Sequence, residues 1–164
     1  MKLSALLTAA TSAFIASVLP ACDGAALREI KPGLSSMAEV RSRLGEPGSI
    51  HHDADGVVVW EYHRQPNGIE CHMIAFGPDQ IVLRIENALA EANLARVREG
   101  MSRDEIRRLL GKPASITPFS RQQEEVWEWR VAGTLPSDET YFNVHFAMHS
   151  GLVAKTSRRQ AQSG

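Results

Sequence analysis

Apolar positions along this chain change their period at intervals, and the changes come twice in the same order. Met37, Val40 and Leu44 fall on one stripe of a short helix, and Ile106, Leu109 and Leu110 do the same further on. Each stripe opens on a capping signal, Ser36 with Glu39 and Ser102 with Glu105, and Met101 ahead of Ser102 stands to staple against Ile106. Each ends at a glycine followed two residues later by proline, Gly45 with Pro47 and Gly111 with Pro113. Beyond these stops the period becomes two. Val58, Trp60 and Tyr62 share one face of a strand and Val59, Glu61 and His63 the other; Trp127, Trp129 and Val131 alternate likewise with Val126, Glu128 and Arg130.

Two further strands follow each of these. Residues Ile69–Phe76 turn at Gly77-Pro78-Asp79 into Ile81–Ile85, and Tyr141–Met148 turn at His149-Ser150-Gly151 into Leu152–Thr156. A second helix is predicted ahead of each capped one, over Ala25–Ile30 and over the Ala- and Leu-rich Asn87–Glu99. The repetition is explicit. Gly33-Leu34-Ser35-Ser36 … Leu44-Gly45-Glu46-Pro47 returns as Gly100-Met101-Ser102-Arg103 … Leu110-Gly111-Lys112-Pro113, and Trp60-Glu61-Tyr62 returns as Trp127-Glu128-Trp129. The leading glycines and the leading tryptophans both stand 67 positions apart. The pattern predicts an α+β fold of two tandem repeats, residues 22–86 and 87–157, each with two short helices packed on a three-stranded antiparallel meander, and a disordered tail over residues 158–164.

The first 21 residues read differently. Lys2 precedes an apolar stretch from Leu3 to Leu19 that is diluted by serine and threonine and too short for a spanning helix, as in a cleaved export signal. Leu19-Pro20-Ala21-Cys22 resembles a bacterial lipobox, which implies a diacylated Cys22 at the mature N-terminus and a membrane anchor there. The outer membrane is favoured for the anchor, but Asp23 directly after Cys22 resembles the inner-membrane retention signal of enteric bacteria and leaves the inner membrane open. With Cys22 lipidated, Cys71 has no partner for a disulfide. Its setting in an apolar strand with no adjacent Lys or Arg predicts a buried, inert thiol.

Charge narrows the function classes. The chain has 18 basic and 19 acidic residues, a net charge of −1, so no positive field draws it to nucleic acid. His145 and His149 have metal-ligand spacing only on a helix, and here they run from a strand into a turn; His51-His52 with Asp53 and Asp55 lies in a polar loop. Nucleophile elbows and phosphate loops are absent from the sequence. Neither catalytic residues, nor a metal, nor a cofactor is expected. The residues open to a binding role are Trp60, Tyr62, Trp127 and Trp129. Facing the helices they are core, the favoured orientation; facing outward they form a partner-binding patch, at the cost of turning Glu61, His63, Glu128 and Arg130 inward.

The Gly-Met-Ser-x-x-Glu-Ile-x-x-x-Leu-Gly-x-Pro string, together with the lipobox and the Trp-rich strand, resembles the SmpA/OmlA (BamE-like) family of outer-membrane assembly lipoproteins. That resemblance implies a non-enzymatic envelope scaffold, anchored through Cys22 and facing the periplasm, whose partners are envelope proteins of β-barrel assembly. The doubled arrangement also resembles the β-lactamase inhibitor protein fold. This implies the alternative of an inhibitor of a cell-wall enzyme, although that fold relies on disulfides that this chain cannot form.

Overall fold

The computed structural model describes residues 23–161. The expected signal segment, residues 1–21, and the expected lipid site at Cys22 lie outside the described residues. Helix α1 spans Asp23–Glu29 and α2 Met37–Leu44; strands β1 Ser49–His52, β2 Val58–His63, β3 Cys71–Phe76 and β4 Val82–Asn87 follow. The order then repeats with α3 Glu91–Leu94, α4 Arg103–Leu110, β5 Ser115–Phe119, β6 Glu124–Val131, β7 Thr140–Ala147 and β8 Val153–Gln160. Each set of strands forms its own four-stranded antiparallel sheet, sheet 1 in the order β1-β2-β3-β4 and sheet 2 in the order β5-β6-β7-β8.

The helix signals act where the sequence puts them. Ser102 Oγ accepts from the Glu105 N–H, and the Glu105 carboxylate accepts from the Ser102 N–H at 2.7 Å, closing the capping box. In the first repeat only half of the box forms: Ser36 Oγ accepts from the Glu39 N–H at 3.2 Å, while the Glu39 carboxylate accepts from Arg43 instead. Gly45 and Gly111 end the two helices at φ 79° and 77°.

Three expectations need correction. Each sheet has a fourth strand, because β1 and β5 add to the outside of β2 and β6. As edge strands they bury little, and β5 contains Pro118, so neither shows the apolar–polar alternation that marks a strand in sequence. The helix expected over Asn87–Glu99 shrinks to Glu91–Leu94. Asn87 belongs to β4, its Oδ1 accepts from the N–H groups of Cys71 and Leu89, and Ala90 offers no side-chain cap. Finally, β8 continues to Gln160 in place of a tail from residue 158. Arg158 forms an ion pair with Glu91 at 2.7 Å and Arg159 with Glu128 at 2.9 Å, while Arg159 lies over the Tyr141 ring at 4.0 Å.

The layers stack in a definite order. On one face of sheet 1, Trp60, Ile74, Phe76 and Val82 pack with Ile30 and Val40 from the first helical layer. The opposite face of sheet 1, with Val59, Cys71, Met73 and Ala75, joins a second core containing Ile106 and Leu110 of α4 and Trp129, Phe142, Val144 and Phe146 of sheet 2. Helix α4 therefore lies between the two sheets and serves both. Its terminal Gly111 shows the closeness: the carbonyl accepts from Trp129 Nε1 at 3.2 Å, and a Cβ there would stand 2.5 Å from Cys71 Sγ and 3.1 Å from both Glu61 Oε1 and Met73 Cε.

The equivalent Gly45 has the same backbone but nothing within 4 Å of its notional Cβ. Alanine at Gly45 is expected to cost about 1–3 kcal/mol of backbone strain. Alanine at Gly111 adds a clash across the junction, so its urea midpoint is expected to fall clearly below that of Gly45→Ala; equal midpoints would refute the sandwiched position of α4.

Candidate functional site

The junction between the repeats is organised by Glu61. Strand β2 alternates Trp60 toward the first helical layer and Glu61 toward α4, and the Glu61 side chain is fully buried. A buried carboxylate is costly unless its oxygens are satisfied. Here both are. Oε1 accepts from the Lys112 N–H at 2.8 Å, just past the end of α4, and Oε2 accepts from Arg107 Nη1 at 2.5 Å. His51 Nε2 on β1 also lies 3.2 Å from Oε2, and Arg107 Nη2 donates to Ser49 Oγ at 3.2 Å. Burial pushes the Glu61 carboxyl upward, but the hydrogen bonds from Arg107, Lys112 and His51 and the Arg107 charge outweigh it and hold the group below the usual carboxylate range.

A second link runs beside it. Gln65 Nε2 donates to the Arg130 carbonyl at 2.7 Å and Gln65 Oε1 accepts from the Arg130 N–H at 3.0 Å, so one side chain pairs with the backbone of β6 where β5 has ended. Cys71 sits within the same junction. Burial, and then the Glu61 charge, push its thiol up to about 12, which leaves it protonated and unreactive.

The four aromatic positions do not form a surface patch. Trp60, Trp127 and Trp129 are buried in the two cores and only Tyr62 is half-buried, its hydroxyl donating to the Gly45 carbonyl at 3.0 Å. Arg41 stacks over Trp60 at 4.9 Å, and Trp127 Nε1 donates to Glu125 at 2.9 Å. An aromatic binding face would need these rings turned out of the cores they fill. Among the described residues no group of three or more His, Cys, Asp or Glu side chains converges as a metal site. His145 instead bridges Glu124 at 2.8 Å and Ser157 at 2.9 Å, and Lys155 pairs with the other oxygen of Glu124 at 2.8 Å.

Those last residues lie on the outer face of sheet 2, where the duplication parts company with itself. Glu128 is the counterpart of Glu61, yet it sits partly exposed with Arg159 as its partner. The register places Asn143 beside Glu128 where Met73 stands beside Glu61. Tyr141 and His145 likewise stand where sheet 1 has Cys71 and Ala75. A face that is apolar and covered in the first repeat is polar and open in the second.

Sequence reasoning treated Glu61 as a charge best kept in water and missed its role. The available signal was β3, where Cys71, Met73 and Ala75 alternate with Ile74 and Phe76. A strand apolar on both faces announces cover on both sides.

Removing the Glu61 carboxylate strands Arg107 and the Lys112 N–H, and Glu61→Ala is expected to cost about 3–5 kcal/mol. The matched Glu128→Ala, at a surface pair, is expected to cost no more than about 1 kcal/mol. Denaturant unfolding of the two variants checks the contrast. The acid limb provides a second check. Because the folded-state value of Glu61 is lowered, its contribution is complete above the unfolded carboxyl range near 4.3 and is lost as pH falls through the folded value. The stability gap between wild type and Glu61→Gln, measured at neutral pH, should narrow steadily below about pH 4; a constant gap would remove Glu61 as the group responsible.

None of the curated proteins matches the chain in sequence. Among solved structures it is similar to a Streptococcus mutans protein provisionally described as a beta-lactamase inhibitor protein, at 16% identity and a TM-score of 0.33 over 84% of this chain and 97% of that one. It is similar to a DUF4309 family protein from Bacillus subtilis at 14% identity and a TM-score of 0.32, over 82% and 84% of the two chains. An extracellular SCP-domain protein from Bacillus anthracis is similar at 12% identity and a TM-score of 0.30, over 99% of this chain and 50% of that one. The resemblance read from the helix string and the Trp-rich strand is met in the second repeat, where residues 86–149, from the end of β4 through β7, match the family model of the outer membrane protein assembly factor BamE domain.

Proposed function

We propose that this chain is a non-enzymatic lipoprotein of the bacterial envelope that acts as a protein-binding scaffold in outer-membrane protein assembly. The observation that carries the reading is the BamE-domain match over residues 86–149. The lipobox around Cys22 supports it, and α1 begins at Asp23, the very next residue, which would hold the first repeat close to the bilayer. Among the described residues no helix is long and apolar enough to cross a membrane, so anchoring would rest on the lipid. The chemistry of the interior agrees with a scaffold: its buried carboxylate is consumed by Arg107 and Lys112, and its thiol is held protonated.

The test is a native pull-down of the tagged, detergent-solubilised protein, with fractionation run beside it. Wild type is expected in the membrane fraction with β-barrel assembly components, and Cys22→Ala in the soluble fraction with those partners lost. Recovery of a single soluble cell-wall enzyme without assembly components would replace this reading with the inhibitor one.

A further inference from the structure

Sheet 2 ends on a long strand, β8, whose outer edge is free. The Ala161 N–H bonds to the Glu139 carbonyl, and with Thr140 opposite Gln160 this turns the N–H and C=O groups of Thr156, Arg158 and Gln160 away from β7. Among the described residues none of these groups bonds to another segment. The other sheet edges are shorter or guarded. On β4, Val82 exchanges hydrogen bonds with Gly33 and Ser35 at 2.7 and 2.9 Å, and the Asn87 carbonyl accepts from Asn93 Nδ2 at 3.2 Å. Strand β1 has only four residues and β5 carries Pro118. On β8 the loop contact is made at Val153, by Gly100 and Met101, and goes no further.

Two hollows flank this strand. One of about 590 Å³ has Val97, Val153 and Thr156 in its wall, and the other, of about 470 Å³, has Ala132, Gly133 and Gln160. Thr156 and Gln160 stand roughly 13 Å apart along a strand that rises about 3.3 Å per residue, so alternate side chains of an added strand would reach both. Charge does not choose the occupant, because Lys155, Arg158 and Arg159 are each paired, with Glu124, Glu91 and Glu128. The backbone does. A row of unpaired N–H and C=O groups is complemented by another chain in extended form. A second copy of β8 is a poor complement, since pairing two such strands about Ser157 sets Lys155 of each against Arg159 of the other.

We propose that β8 takes up an extended segment of a partner protein as a fifth strand of sheet 2, antiparallel like the pairings already in that sheet. The segment bonds through its main chain to Thr156, Arg158 and Gln160. It sets an aliphatic side chain against Val97 and Val153 and, four residues away, a second side chain beside Ala132 and Gly133. Affinity in such a mode comes from the backbone and selectivity from the alternate pockets. The inference goes beyond the assembly reading, since it concerns one strand edge whichever complex the protein serves.

The experiment pans a random dodecapeptide display library on the full-length, detergent-solubilised protein and, in parallel, on its Thr156→Pro variant. Proline there removes an N–H that β7 does not use and sets its ring in the path of an incoming strand. The variant should keep the wild-type urea midpoint; Gln160→Pro serves in its place if it does not. Peptides enriched on wild type are expected to bind the variant at least about ten-fold more weakly. They should also lose binding when alternate backbone amides are N-methylated and keep it when the intervening ones are. Bound peptide should slow hydrogen exchange at the Thr156, Arg158 and Gln160 amides. Failure to enrich any sequence over the variant, or tolerance of N-methylation at every amide, overturns the proposal. So does a wild-type dimer that Thr156→Pro dissociates, because it assigns the edge to a second copy.

Discussion

A carboxylate withdrawn completely from water holds the two halves of this protein in register. Glu61 gives up its hydration and recovers it from the guanidinium of Arg107, the N–H of Lys112 and the ring of His51. Three of the surrounding groups are fixed by that requirement: α4 must end so that the Lys112 N–H just beyond it meets Oε1, Arg107 must reach across from α4, and β1 must bring Ser49 and His51 alongside. Replacing such an ion pair by apolar groups can be neutral, but leaving it half made is costly, so the pair acts chiefly to specify one docking of the repeats. Gly111 completes the arrangement by leaving room for Cys71 and Met73 where any side chain would collide.

Around that joint, two copies of one design play unequal parts. In a stack of repeats each unit covers its neighbour, and the last unit has nothing left to cover it. Sheet 1 is an interior layer and carries Cys71, Met73 and Ala75 toward α4; sheet 2 is the end of the stack and carries half-buried Tyr141 and His145, with buried Asn143 between them, on a polar outer face tied together by rungs such as Glu128–Arg159 and Glu124–Lys155. The polar outer face closes the array at two units and keeps a large sheet surface from becoming an adhesive one.

The residues that could carry chemistry in this molecule are spent on structure. Its tryptophans build the cores, its thiol is silenced by burial, and its inward carboxylate serves structure. The second repeat is the one that matches the BamE-domain family model. The first repeat contributes the covered sheet and the residues nearest Cys22.

The sequence by itself determined the local and the repeated. Ser36 and Ser102 start their helices, Gly45 and Gly111 end them, and the period-two runs from Val58 and from Val126 become β2 and β6, because caps and alternation are satisfied by neighbours a few residues away. The short edge strands β1 and β5 were not legible, since strands that bury little have little pattern to show. The two apolar faces of β3 carried a signal that sheet 1 is covered on both sides, but what covers it was decided only by the tertiary structure. Glu61 and Glu128 stand in the same motif, Trp-Glu-Tyr and Trp-Glu-Trp, and nothing within the motif separates them. What separates them is Arg107, 46 residues along the chain from Glu61, brought to one sheet and not to the other because a stack of two has one inside and two ends.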